Sequence, residues 1–314
     1  MKFIIFGSEG FIGTHFKNYI EGNNLGEIVK YDMKRDAALD VREKIEIEGD
    51  FTENDIIINL AAVHTTPGHP DYEYFETNIL GAENICEFAE QHGIKTIVFT
   101  SSIAPYGASE QIKKESTLPT PNTPYGISKL VAENIHKTWQ ARESNKRKLL
   151  ILRPGVVFGK GENGNFTRLY KALAKGVFFY PGRTDTIKGC VYVKDLVDMT
   201  YRILNGFSAG VQLYNFTYYP EYTIKDIVQC IARTTDLSEA RIKFNGKVLM
   251  ILASIIGAIG GKHLGIHPDR IKKLMISTNV SGEKLSNIVD GKYKYGFEGG
   301  INDWFIDCNN EGLF

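Results

Sequence analysis

The feature that most constrains this chain lies within its first thirteen residues. An apolar run, Lys2–Phe6, passes directly into Gly7-Ser8-Glu9-Gly10-Phe11-Ile12-Gly13. The pattern predicts a buried strand, a tight turn and a helix beginning over Phe11–Tyr19. Three glycines at this spacing let the turn close, let a pyrophosphate approach the backbone, and let the helix pack on the strand. The N–H groups of the helix start and the positive end of its dipole then face the phosphates. Gly7, Gly10, Phe11, Ile12 and Gly13 are therefore the first cofactor contacts expected. Asp32 ends the second strand, 19 residues after Gly13. A carboxylate there accepts hydrogen bonds from the adenosine ribose hydroxyls and repels a 2′-phosphate, which favours NAD over NADP. Lys34 and Arg35, just beyond it, work against that preference.

The first half of the chain keeps this rhythm. Strand-like runs at Ile28–Tyr31, Ile56–Leu60, Thr96–Thr100 and Leu149–Leu152 alternate with helical stretches at Tyr74–His92 and Ser128–Arg142. Apolar runs without polar alternation belong to strands buried on both faces. An α/β fold is expected, with a Rossmann-type doubly wound parallel sheet and a smaller, mostly helical C-terminal substrate domain. Residues 1–160 are assigned to the NAD-binding domain, with 190–216 returning to it. Residues 161–189 and 217–314 are assigned to the substrate domain, with loops over Lys160–Asn165 and Tyr180–Gly189.

Composition narrows the function classes. Lys plus Arg and Asp plus Glu number 37 each, so no charge excess points to nucleic acid or an anionic membrane. Cys86, Cys190, Cys230 and Cys308 are far apart and form no C-x-x-C, so buried thiols are expected and no metal site. The most apolar stretch, Val248–Gly261, falls short of the ~20 residues a spanning helix needs and reads as a core or interface helix. The opening residues read as a strand and not as a signal peptide, so cytoplasmic residence is expected.

The reactive groups are expected at a helix start. Tyr125-Gly126-Ile127-Ser128-Lys129 places Tyr and Lys four residues apart, on one face of a helix. A nearby ammonium favours the phenolate and brings the phenol toward working pH. The Tyr then exchanges a proton with a substrate hydroxyl while hydride moves to or from nicotinamide, and Lys129 also reaches the nicotinamide ribose. The spacing alone is common. Its context is not: Thr100-Ser101-Ser102 closes a predicted strand 23 residues upstream, and ligands bind at the carboxyl ends of parallel strands. Ser102 donates a hydrogen bond to the same substrate oxygen.

These segments occur in order with Asn59-Leu60-Ala61-Ala62, Thr77-Asn78, Tyr106-Gly107, Arg153-Pro154-Gly155-Val156-Val157-Phe158-Gly159 and Val191-Tyr192-Val193-Lys194-Asp195-Leu196. The ordered set resembles the extended short-chain dehydrogenase/reductases, in the NAD-dependent epimerase/dehydratase branch that acts on nucleotide sugars. The resemblance covers residues 1 to 200, with echoes to Tyr295-Gly296-Phe297. It implies that Asp40 and Val41 meet the adenine and that Leu60, Ala61 and Ala62 line the cofactor. Asn78 then sits beside it and Pro154 lies against the nicotinamide. Asn165 and Lys188 occupy positions that help bind the nucleotide diphosphate, Lys188 standing where many relatives carry Arg. Arg270 is a second phosphate contact or a solvated surface residue. The resemblance also implies a homodimer, formed through Tyr74–His92 and Ser128–Arg142.

One departure narrows the chemistry. The 4,6-dehydratases of the branch carry an Asp-Glu pair where this chain has Ile103-Ala104 after Ser102, so elimination of water lacks its acid and base. A nucleotide-sugar epimerase oxidising transiently at C4 is the leading expectation. A 4-ketoreductase or dehydrogenase remains the alternative. A steroid-type ketone reductase suits the apolar stretch but not Asn165, Lys188 and Arg270. A non-catalytic NAD sensor conflicts with the presence of both Tyr125 and Lys129.

Overall fold

The computed structural model describes residues 1–33, 39–65, 68–239, 243–244 and 275–310. Lys34, Arg35, Val248–Gly261 and Arg270 lie outside the described residues. The strands are β1 (Lys2–Phe6), β2 (Glu27–Tyr31), β3 (Ile56–Asn59), β4 (Thr96–Thr100), β5 (Ser109–Lys113), β6 (Lys148–Pro154), β7 (Val156–Phe158), β8 (Tyr180–Pro181), β9 (Cys190–Tyr192), β10 (Gly210–Phe216), β11 (Lys243–Phe244) and β12 (Thr278–Val280). The helices are α1 (Phe11–Gly22), α2 (Asp71–Phe75), α3 (Gly81–Gln91), α4 (Pro124–Ala141), α5 (Asn165–Ala174), α6 (Val193–Leu204), α7 (Ile224–Thr234), α8 (Glu283–Ile288) and α9 (Gly296–Asn309).

Six strands form one parallel sheet in the order β10-β6-β4-β3-β1-β2. The chain leaves β1 for β2 on one side, then crosses back to β3 on the other. This reversal opens a crevice outside the carboxyl ends of β1 and β3, where such sheets bind ligands. The register brings those ends level, with Phe6 opposite both Tyr31 and Asn59, and Thr100 opposite Leu152.

Successive strand residues point to opposite faces, and each face has its own core. Phe3, Ile5, Ile58, Val98, Leu150 and Leu152 pack with Phe16 and Ile20 of α1, Leu196 and Met199 of α6, and Phe297 and Trp304 of α9. Ile4, Phe6, Ile57, Ile97, Phe99 and Ile151 pack with Ile85 and Phe88 of α3 and with Ala132 and Trp139 of α4. The last helix thus shares a core with the sheet. All four cysteines are buried and free, as expected.

Two details differ from the sequence expectation. The helix expected over Tyr74–His92 is α2 and α3 joined by a π-helical turn, Glu76–Leu80, which buries Thr77 and Asn78. Such a turn inserts one residue, so a 3.6-residue period does not reveal it. The loops around Tyr180–Gly189 are stitched by short strands, β8 with β11 and β5 with β12, and by a bridge between Lys188 and Thr278. Among the described residues, no helix is long and apolar enough to cross a membrane.

Candidate active site

The glycine turn after β1 has the geometry its spacing predicts. Gly7 adopts φ +85°, and its N–H donates to Tyr31 O at 2.8 Å, tying the turn to β2. A Cβ on Gly13 would stand 2.3 Å from Gly7 O and 2.8 Å from Ser8 O, so α1 can lie this close only with glycine there. A Cβ on Gly7 would stand 2.9 Å from the Ala61 nitrogen, in the loop after β3. At Gly10 a Cβ would meet only Gly7 O, at 3.3 Å. The cradle is open on that side, and no side chain caps the α1 N-terminus. A dinucleotide pyrophosphate fits this arrangement, received by the N–H groups of Phe11, Ile12 and Gly13. Asp32 lies at the end of β2, where its Oδ2 accepts the Glu9 N–H at 3.0 Å.

Leu60, Ala61 and Ala62 are half-buried along the same crevice. Asp40 is held by Arg42, whose bonds keep its carboxyl below the usual range. The Val41 side chain turns into the core beneath Gly81, and its carbonyl accepts from Asn84 at 2.8 Å. The π turn aims Asn78 inward. Its Oδ1 accepts from Val63 N at 3.0 Å, and its Nδ2 donates to Val63 O at 3.1 Å and to Ser128 Oγ at 2.8 Å. Asn78 thereby fastens the loop after β3 to α4. Pro154 ends β6, and its carbonyl accepts the Ile103 N–H at 3.1 Å, beside Ser102.

The three reactive candidates meet at this edge. Thr123 caps α4, accepting the Gly126 N–H at 3.1 Å, and Pro124 opens the first turn. A Cβ on Gly126 would stand 2.7 Å from Ala104 O, so the start of α4 is pressed onto the turn that carries Ser102. The Tyr125 hydroxyl faces Ser102, whose influence lowers the phenol, and its ring centroid lies 6.2 Å from that of buried Tyr74. Ser102 Oγ also accepts the Ala104 N–H at 3.1 Å. Lys129 is 1% exposed, with Nζ 4.4 Å from the Phe99 ring centroid.

Electrostatics correct one expectation. The sequence reading gave Lys129 the task of lowering the Tyr125 phenol. In the structure burial raises that phenol, and the contact that lowers it is Ser102. Burial also brings the Lys129 ammonium down to about 7, with Glu133 opposing that fall. An ammonium at that value is only partly charged at neutral pH, which weakens its pull on a neighbour.

The substrate-side residues are more scattered. Asn165 is exposed at the first turn of α5, its Oδ1 accepting from Arg168 at 3.2 Å. Lys188 donates to Ile276 O at 2.7 Å, and burial lowers it to about 8. Glu110 frames it by accepting from Ser277 N and Oγ at 3.0 and 2.8 Å. Arg270 lies outside the described residues.

Sequence reasoning missed the layer beneath Tyr125. Glu133 and Arg153 form a buried pair at 2.6 Å. His136 stacks on Phe99 at 4.1 Å, and its Nε2 accepts from Asn59 Nδ2 at 3.3 Å. The available signal was the spacing of Glu133, one helical turn beyond Lys129. A second omission is Asp195, buried at the start of α6. It accepts from Tyr218 OH at 2.6 Å and from the N–H groups of Tyr295 and Gly296 at 2.9 and 3.0 Å.

Comparison with known proteins agrees with this geometry. The chain is 27% identical over 290 residues to N-acetyl-alpha-D-glucosaminyl-diphospho-ditrans,octacis-undecaprenol 4-epimerase of Escherichia coli O157:H7, covering 90% of this chain and 88% of that protein. It is 24% identical over 227 residues to UDP-glucose 4-epimerase of Vibrio cholerae, covering 67% and 69%. The fold matches that of UDP-N-acetylglucosamine 4-epimerase from Bacillus cereus, with a TM-score of 0.72 at 17% identity over 98% of this chain and 99% of the other. The model of the NAD dependent epimerase/dehydratase family matches residues 3–216, and with its glycine cradle and its Ser102, Tyr125 and Lys129 in place the chain belongs to that family.

Proposed function

We propose that this protein is an NAD-dependent nucleotide-sugar epimerase working by transient oxidation at C4 of the sugar. One observation carries the reading. Ser102 faces Tyr125 at the carboxyl edge of the sheet, Lys129 follows Tyr125 by one turn of α4 with its Nζ over the Phe99 ring, and Ile103-Ala104 follow Ser102 where the resemblance gives a dehydratase its acid and base. Both relatives named above are 4-epimerases, which supports C4 as the reacting carbon.

When bound, NAD supplies the hydride acceptor and donor. Gly7, Gly10, Phe11, Ile12 and Gly13 hold its pyrophosphate, Asp32 its adenosine ribose, and Asp40 with the Val41 backbone the adenine. Leu60, Ala61, Ala62, Asn78 and Pro154 line the rest of its length. The chain supplies the proton chemistry. Tyr125 Oη takes the proton of the C4 hydroxyl as a ketone forms, and returns it to the same oxygen when the hydride comes back to the opposite face of C4. Ser102 Oγ donates a hydrogen bond to the same oxygen. Lys129, one helical turn beyond Tyr125, reaches the nicotinamide ribose. Asn165, Lys188 and Arg270 hold the diphosphate of the sugar nucleotide. The substrate segments are 161–189 and 217–314, and the protein works in the cytoplasm. It pairs with a second copy through Tyr74–His92 and Ser128–Arg142, where Leu80 of the π turn and Val131 of α4 are exposed, with Ile127 exposed just before the second segment.

The test is to offer UDP-, GDP- and dTDP-sugars and to follow reduced-cofactor absorbance and sugar identity together. Inversion at C4 without net cofactor reduction is the expected result. Net reduction with a keto-sugar product marks a dehydrogenase, and no conversion of any sugar refutes the reading.

A second reading has its own observation. The relative aligned along most of both chains is named for a sugar carried on a polyprenol diphosphate. A diphosphate-linked sugar is common to both readings. Supplying the same sugar on UDP and on undecaprenyl diphosphate in detergent separates them, because only the true carrier sustains turnover at low concentration.

A further inference from the structure

The mechanism above leaves the layer beneath Tyr125 without a task. Glu133 follows Lys129 by one turn of α4 and is completely buried. Its Oε1 accepts from Ser101 Oγ at 2.6 Å and from Arg153 Nε at 2.8 Å, and its Oε2 accepts from Arg153 Nη2 at 2.6 Å. Each partner adjoins a site residue. Ser101 precedes Ser102 at the end of β4, and Arg153 precedes Pro154 at the end of β6. The Arg153 guanidinium lies 4.6 Å from the Tyr106 ring centroid, and Tyr106 OH donates to Asn215 Oδ1 of β10 at 3.0 Å.

A buried carboxylate is tolerated when its oxygens are bonded and its charge is paired, and Arg153 meets both needs. That pairing does not account for a second cation, Lys129, on the same helix face in the same dry interior. Resting on the reading of Tyr125 and Lys129 as the proton-transfer pair, we propose that Glu133 is a positioning residue. It locks the ends of β4 and β6 against α4 and places a buried carboxylate one helical turn from Lys129.

The surrounding groups support the assignment. Tyr125, His136 and Lys137 share α4 with Lys129, and Lys137 Nζ stands 3.8 Å from Glu133 Oε2; Arg153 comes from β6, Tyr106 from the turn after β4, and His64 from the loop after β3. His136 is pushed down to about 4 by burial and is neutral at neutral pH. His64 is lowered by burial, and the Lys129 charge adds to that effect. Of these groups and Glu133, only Glu133 is a carboxylic acid side chain. It alone opposes the loss of the Lys129 proton that burial drives.

The experiment reads Lys129 directly, by nuclear magnetic resonance titration of the full-length protein with carbon-labelled lysine. The Lys129 signal is identified by its loss in Lys129→Met. In the wild type its transition is expected at about 7. Glu133→Gln keeps the shape and removes the charge, so the transition falls by about one pH unit or more. Glu133→Asp retains the charge and keeps the transition near the wild-type position. Arg153→Met removes the nearer of two cations that compete for Glu133, the other being Lys137, and moves the transition upward. The kcat profile shifts in the same direction as the titration. A folded Glu133→Gln protein with an unmoved transition overturns the proposal. Should that variant not fold, Arg153→Met decides, and an unmoved or lowered transition overturns it equally. The titration needs no turnover. A wild type that converts no sugar refutes the proposed function and leaves this inference standing or falling by itself.

Discussion

Gly10 and Gly13 belong to one turn, yet the structure assigns them different work, and paired substitutions separate the two. In Gly13→Ala the new methyl meets backbone atoms at 2.3 and 2.8 Å, with no flexible side chain able to move aside. Either α1 shifts off β1 or the turn opens. Overpacking of this kind costs about 1–3 kcal/mol. The cost appears as a lower midpoint in urea denaturation, and NAD binding is lost with the turn. In Gly10→Ala the methyl meets a single atom at 3.3 Å, and the residue already has extended backbone, φ −73° and ψ 171°. Stability should therefore change by no more than ~0.5–1 kcal/mol, the difference between Gly and Ala at an N-cap. NAD should bind at least tenfold more weakly, since a displaced pyrophosphate loses one or more charge-assisted hydrogen bonds of about 1.5–3 kcal/mol each. Calorimetry of NAD binding and urea denaturation on both variants provide the measurements. A Gly13→Ala protein as stable as wild type, or a Gly10→Ala protein with unchanged NAD affinity, refutes the division of labour.

Three further outcomes are expected. Tyr125→Phe should fold and bind NAD normally but lose about 10²–10⁴-fold in kcat, the usual contribution of a positioned acid/base, and Ser102→Ala should lose less. Near wild-type turnover in Tyr125→Phe would place the proton on another residue. Lys129 titrates at about 7 when folded against a reference of 10.5, so above neutral pH the unfolded chain holds the extra proton and folding stability rises with pH across that interval. Urea denaturation at several pH values should show this rise in the wild type and a smaller one in Lys129→Met; equal slopes contradict it. Ile127→Glu, on the exposed face of α4, should convert a dimer to a monomer in sedimentation velocity without loss of fold. A protein monomeric before the substitution excludes pairing through that face.

Local chemistry written along the chain was enough to place several parts of this protein. Lys2–Phe6 followed by the glycine turn could be read because strand burial and turn strain act over adjacent residues. Apolar runs without alternation likewise announced the parallel sheet. The Tyr125–Lys129 pair could be read because four residues make one helical turn. Other features depended on residues brought together from far apart. Asn78 appeared beside the cofactor through resemblance, but its bonds to Val63 and Ser128 exist only because a π turn rotates it inward. Glu133 acquires its buried partners only because β4 and β6 bring Ser101 and Arg153 to it. The direction in which Lys129 and Tyr125 titrate was likewise decided by tertiary structure. Charge spacing along a helix is a property of sequence, whereas the removal of water around that charge requires the whole sheet and α4 to close over it.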